Sequence, residues 1–197
     1  MSTVIDTLIY DRTQDDVNRV FTLKNKILTE GLNALSAEEK AEYMAGMKGA
    51  YNAPDLNRVE SAVAYLAEQL VAMPNELDEY AASLMVAWTD MFSPPYNAID
   101  YAGIDTKTDW SISDTPGSDS MSRYLSNVVL LQTAFDADYP SLPDSMDSLT
   151  FDGANAIEKI LAIIDAKINN VRAYKKMLIN NTASAWFYSG DIYASEV

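Results

Sequence analysis

The chain has 197 residues, with 29 acidic side chains against 14 basic ones and a formal charge of -15. A chain of that balance has no dominant basic face for phosphate contacts, so nucleic acid is not expected as a direct partner. Its 48% hydrophobic and 10% aromatic content is that of a packing protein rather than a solvated tail. Cysteine is absent, which removes disulfides, zinc-thiolate sites and thiol nucleophiles. Histidine is absent too, and with it the Ser-His-Asp triad, imidazole metal ligation and the usual proton shuttle at neutral pH. The start, MSTVIDTLIYDR, shows neither a basic n-region nor a long apolar segment, and no apolar run approaches the roughly 20 residues of a membrane span. A soluble protein without a secretory signal or membrane insertion is expected.

Apolar spacing predicts helices in chain order. The first follows Thr13 through Val17, Val20, Leu23 and Ile27 to a stop at Gly31. A second opens on the capping box Ser36-Ala37-Glu38-Glu39 and runs to Gly46 or Gly49. The third carries Leu56, Val59, Val63, Leu66, Leu70 and Met73 at alternating steps of three and four, capped by Asn52 and expected to end where Pro74 forbids continuation. A fourth follows Asn75, with Glu76, Asp78 and Glu79 in its first turn, and buries Leu77, Leu84 and Trp88. From about 92 to 117 turn formers dominate, and a loop-rich connector is expected. Beyond it, Ser118 and Asp119 open a stripe of Met121, Tyr124, Val128, Leu131 and Phe135. Thr150 opens a longer stripe from Ala154 to Leu178, about 25 residues of helix ended by Asn180 and Asn181. The terminal Trp186-Phe187-Tyr188 and Asp191-Ile192-Tyr193 predict a short β-hairpin or an extended aromatic arm.

An offset of 98 (155 minus 57) aligns Leu56-Asn57-Arg58-Val59-Glu60 with Ala154-Asn155-Ala156-Ile157-Glu158. An offset of 104 aligns Asp15, Val17 and Arg19 with Asp119, Met121 and Arg123. The fold expected is therefore all-α, a helical bundle of two related helix-hairpin halves. Its parts are an N-terminal half (1-73), a helix with an acidic connector (74-113), a C-terminal half (114-179) and the aromatic arm (180-197).

Charge concentrates in the middle: residues 74-150 carry 2 basic against 13 acidic side chains. Asp136, Asp138, Asp144 and Asp147 fall at positions 1, 3, 9 and 12 of a calcium-type loop, as candidate metal ligands. The pattern departs from such a loop at its fifth position, Pro140, at Ser141 where glycine is wanted, and at Asp147 where a bidentate Glu is usual. No pair among the acids stands out as a hydrolase's two carboxylates, and no phosphate loop is present, so no catalytic residue, cofactor or enzyme activity is expected. The arm residues Trp186, Phe187, Tyr188, Ile192 and Tyr193 are expected to form an interface.

Several segments together resemble a known group of proteins. They are Tyr10-Asp11-Arg12-Thr13-Gln14-Asp15-Asp16-Val17, AEEKAEYMAGMKGAYNAPDLNRVESAVAYLAEQL from Ala37, KTDW from Lys107, SRYLSNV from Ser122, LPDSMDSLTFDGANAIEKIL from Leu142 and AWFYSGDIY from Ala185. They resemble uncharacterised tail- and baseplate-associated structural proteins of tailed bacteriophages and prophages, over nearly the whole chain and least clearly over 74-105. The resemblance implies a virion structural protein of the tail, baseplate or a fibre, made in the host bacterial cytoplasm. Its expected partners are other virion structural proteins and further copies of itself in a homo-oligomer. Two alternatives stay open: a host-surface glycan-binding protein, with or without calcium, and an acidic DNA-mimic inhibitor.

Overall fold

A computed structural model describes residues 4–84 and 101–193, with side chains through residue 184. The architecture is all-α: α1 (Gln14–Glu30), α2 (Ala37–Ala45), α3 (Ala53–Ser83), α4 (Ser118–Gln132) and α5 (Phe151–Tyr193), with no strand among the described residues. Three helix starts follow from local chemistry. The Thr13 hydroxyl accepts from the Asp16 amide while the Asp16 carboxylate accepts from the Thr13 amide, and Ser36 and Glu39 repeat the exchange on α2. At α3 the Asp55 carboxylate accepts from the Asn52 amide at 2.9 Å. Gly31 (φ 84°) and Gly46 (φ 86°) follow α1 and α2 at positive φ, where a side chain would be strained.

The long helices α3 and α5 lie parallel. Arg58 bonds Glu158, Lys176 bonds Glu76 and Tyr80 bonds Asn180, so the register advances in the same direction along both. Their facing stripes, Leu56 to Leu77 and Ile157 to Ile168, make one core with Tyr124, Val128 and Leu131 of α4 and with Tyr101 and Trp110 of the connector. The stripe then continues into a second cluster of Ala81, Ile179 and Ala183. The α1–α2 hairpin stands apart, with a separate small core of Leu23, Leu35 and Met47.

Two expected helix ends are overturned. Pro74 lies inside α3, and the segments expected as separate helices on either side of it are one. Met73, Leu77 and Ala81 remain in step with the buried stripe on either side of the proline, while Pro74 itself is exposed. Likewise α5 passes through Asn180 and Asn181, because Ile179 and Ala183 still bury against Ala81. The backbone of 180–193 is thus helical rather than a hairpin or an extended arm, and the boundaries expected at 73/74 and 179/180 both fall within helices. Trp88 lies outside the described residues.

Candidate functional site

The charged chemistry that the fold gathers is buried between the start of α3, the start of α5 and the strap that precedes α1. Arg12 and Asp55 are at most 5% exposed and Glu158 is fully buried. The Arg12 guanidinium reaches Asp55 Oδ1 at 2.9 Å and Glu158 Oε1 at 2.7 Å through Nη2, the Ile9 carbonyl at 2.5 Å through Nη1 and the Lys48 carbonyl at 3.1 Å through Nε. Arg58 approaches the same two carboxylates, at 2.5 Å from Asp55 and at 2.8 and 3.0 Å from Glu158. Two guanidiniums therefore neutralise two carboxylates, and the remaining lone pairs of Glu158 and Asp55 accept from the amides of Ile9 (2.6 Å) and Asn52. Burial works against the charge on Arg58, but its bonds to Glu158 and Asp55 more than offset this and raise its pKa further. Each buried charge has its counter-charge and its hydrogen bonds, the condition under which burial is tolerable.

The same architecture recurs on the other side of the molecule. Asn155 on α5 exchanges two hydrogen bonds with the backbone of Arg12, both at 2.9 Å. Asn57 on α3 does so with the backbone of Trp110, at 2.6 and 2.8 Å. Arg12 and Trp110 are separated by the same 98 residues as Asn57 and Asn155. Glu60, 98 residues before Glu158, is buried against Arg123 at 2.8 Å. Burial pushes the Glu60 carboxyl pKa up, opposed by Arg123. Thr13 with Asp16 and Ser111 with Asp114 form matching side-chain-to-amide turns. Lys48 lies between Asp11 and Asp16, and Lys107 between Asp109 and Asp114.

Between the two sides, the phenols of Tyr51 and Tyr124 share a short hydrogen bond, and burial raises both their pKa values well beyond the ordinary tyrosine range. These tyrosines stay neutral at physiological pH and act as a polar contact inside an apolar core.

The expected metal ligands do not converge. Asp136 and Asp138 follow α4, Asp144 and Asp147 lie in the loop before α5, and all four are exposed. No three acidic side chains among the described residues are placed to hold a metal ion. Pro140 and Pro143 fix the backbone φ within the segment, and Ser141 cannot supply the sharp turn that folds a calcium loop back on itself. Instead Asp144 and Asp147 border an open groove of about 520 Å³ against Leu125 and Val129 of α4. A second groove of about 770 Å³ lies between α1 and the starts of α4 and α5. The proposed interface residues Trp186, Phe187, Tyr188, Ile192 and Tyr193 fall on the last turns of α5, where side chains are outside the described residues.

Sequence reasoning found Asn57, Glu60, Asn155 and Glu158 only as a repeat and missed Arg12 and Arg123 as the partners of Glu158 and Glu60. A signal existed: Glu60 lies four residues after Leu56 and three before Val63, so it belongs to the buried stripe and needs a cation. No helix among the described residues is long and apolar enough to cross a membrane. Compared with protein-family models, curated proteins and solved structures, the chain finds no match.

Proposed function

We propose that the protein is a structural subunit of a phage virion, in the tail, baseplate or a fibre, and that it works by protein-protein assembly rather than by chemistry at a reactive centre. One observation carries this reading: five of the six segments that resemble tail- and baseplate-associated proteins supply residues that interlock. YDRTQDDV supplies Arg12 and the α1 cap, the PDLNRVE part of the long segment supplies Asp55, Asn57, Arg58 and Glu60, KTDW supplies Trp110, SRYLSNV supplies Arg123 and Tyr124, and GANAIEK supplies Asn155 and Glu158. Motifs spent on an internal clamp specify a rigid scaffold, as a particle subunit requires, and leave none of these charges free to meet a substrate.

The repeated contacts also support a finer reading of the fold. The chain is two related helical halves, arisen by duplication, that exchange their leading straps across the parallel pair α3 and α5. Mass spectrometry of washed phage particles tests the function: the chain is expected at stoichiometric levels beside known tail components, and its loss on washing would remove the structural assignment. An enrichment on host glycans or a competition with DNA, absent from particles, would favour the alternatives.

A further inference from the structure

Helix α1 keeps Phe21 and Lys24 exposed at positions whose counterparts on α4 face the core, while Val20 and Ile27 pack into the hairpin's own small core. On α4, the stripe Met121, Tyr124, Leu125, Val128 and Leu131 turns toward α3 and α5, with Tyr124, Val128 and Leu131 at most 1% exposed. At the corresponding places, 104 residues earlier, α1 carries Val17, Val20, Phe21, Lys24 and Ile27. Only Leu23 of α1 is buried, however, and no α1 side chain enters the central core. Phe21 is 57% and Leu28 71% exposed, and with Val17 and Lys24 they follow the spacing of a single helical stripe. Leu32, Tyr43 and Met44 of the same hairpin are exposed as well, and α2 buries no residue of its own. Among the described residues, five of the eleven exposed large apolar side chains lie on this hairpin, and such a grouping marks a contact surface.

The larger groove adjoins this stripe. Val17 and Phe21 form one wall, and Leu56, Met121, Met146 and Leu149 are among the apolar side chains facing them. Its acidic members are Asp147 and Asp152, and its one cation, Arg12, is committed to Asp55 and Glu158. Among the described residues, no cation is paired with Asp147 or Asp152 and no carboxylate with Lys24. The molecule therefore carries, side by side, an apolar helix face bearing an unneutralised ammonium and an apolar groove bearing unneutralised carboxylates. A surface complementary to itself is what a twofold contact requires.

We infer that two copies of the chain associate through α1, antiparallel across a twofold axis. Leu28 of each copy packs toward Val17 of the other, and Lys24 of each reaches the Asp147 and Asp152 rim of the other. The Met121 and Met146 thioethers of the groove adapt to the incoming helix. The inference rests on the α1 face and the groove, not on the virion reading: a dimer forms in solution whether or not the chain enters a particle.

Sedimentation velocity on the full chain at 1–200 µM tests it. A monomer–dimer equilibrium with Kd on the order of 10 µM is expected, as suits a contact at the small end of specific interfaces. Lys24→Glu raises Kd at least about tenfold by placing like charges together, and so does the double variant Asp147→Lys/Asp152→Lys. Combining the three substitutions restores the dimer to within about threefold, a recovery that a merely damaged fold cannot give. Phe21→Ser with Leu28→Ser abolishes the dimer, while Tyr174→Ser on the exposed side of α5 leaves it unchanged. A monomer at 200 µM overturns the inference, as does a dimer indifferent to all these substitutions or one that the charge swap does not recover. Particle mass spectrometry is independent of each outcome, so failure here and failure of the virion assignment are told apart.

Discussion

Arg12 shows how one side chain can hold three segments. It ties the strap before α1 to Asp55 at the start of α3 and to Glu158 on α5, and its own backbone is gripped by Asn155. Arg12→Met would leave two buried carboxylates to a single guanidinium, Arg58. Removing one partner of a buried pair costs about 3–5 kcal/mol, a large share of the roughly 5–15 kcal/mol that holds a domain together. Urea denaturation should show a loss of that size, whereas Arg19→Ala, which breaks exposed pairs to Glu42 and Glu39, should cost under about 1 kcal/mol. Gly49 gives a steric counterpart. A Cβ there would lie 2.2 Å from the Asp16 carbonyl carbon and oxygen, so the loop after α2 crosses the first turn of α1 at backbone contact. Gly49→Ala must push that turn away, and a destabilisation of about 1–3 kcal/mol is expected from the overpacking, read from the same denaturation curves.

At the scale of elements, helix starts were legible, as were the ends of α1 at Gly31 and of α2 at Gly46, but the ends of the two long helices were not. Thr13, Ser36, Asn52 and Thr150 each stand immediately before a helix, because a cap acts within one turn and its chemistry is local. Pro74 and the pair Asn180-Asn181 are local stop signals too, yet tertiary burial of Leu77, Ala81, Ile179 and Ala183 carries α3 and α5 past them. The proline still weakens its helix, since it can donate no hydrogen bond to the carbonyl four residues earlier. Pro74→Ala should therefore raise stability by about 1–3 kcal/mol. Calorimetry checks this, and a neutral or negative result would mean that the proline's local geometry is itself needed for packing.

The α1–α2 hairpin answers to pH instead. A bond from Lys26 lowers the Glu39 pKa, and one from Arg19 lowers that of Glu42. Carboxylates with lowered folded-state pKa values contribute stability that is present above their ordinary value near 4.5 and is lost as pH falls through the lowered one. Glu60, in the core beside α4, has a raised pKa and runs the other way: protonation on acidification relieves its burial cost. Below about pH 4 the amides of α2 should exchange with solvent well before those of α3 and α5. Hydrogen exchange at pH 3 against pH 7 measures the order, and simultaneous loss of α2 and the core would show that the hairpin is not a separate unit.

For the molecule as a whole, charge and topology meet. The sequence made the excess of acid plain, and its repeat at an offset of 98 aligned the starts of α3 and α5 without giving their relative direction, which the bonds from Arg58 to Glu158 and from Tyr80 to Asn180 show to be parallel. The bonds from Asn155 to Arg12 and from Asn57 to Trp110 could not be read from it, because such partners are decided by three-dimensional proximity and not by spacing. At least nine of the fourteen basic side chains are in ion pairs, so most of the attraction available has been satisfied within the described residues. What remains is a surplus of exposed carboxylates that repel one another at low ionic strength. Added salt weakens both effects over a Debye length of about 8 Å at 0.15 M, but it screens exposed charges far more than the buried Arg12–Glu158 clamp. The clamp therefore persists while the self-repulsion of a chain of charge -15 fades. Thermal unfolding at 10 mM and 150 mM NaCl should show the melting temperature rising with salt, at a protein concentration low enough to keep association out of the signal. A fall would mean that the exposed pairs on the hairpin, and not the buried clamp, dominate the electrostatic balance.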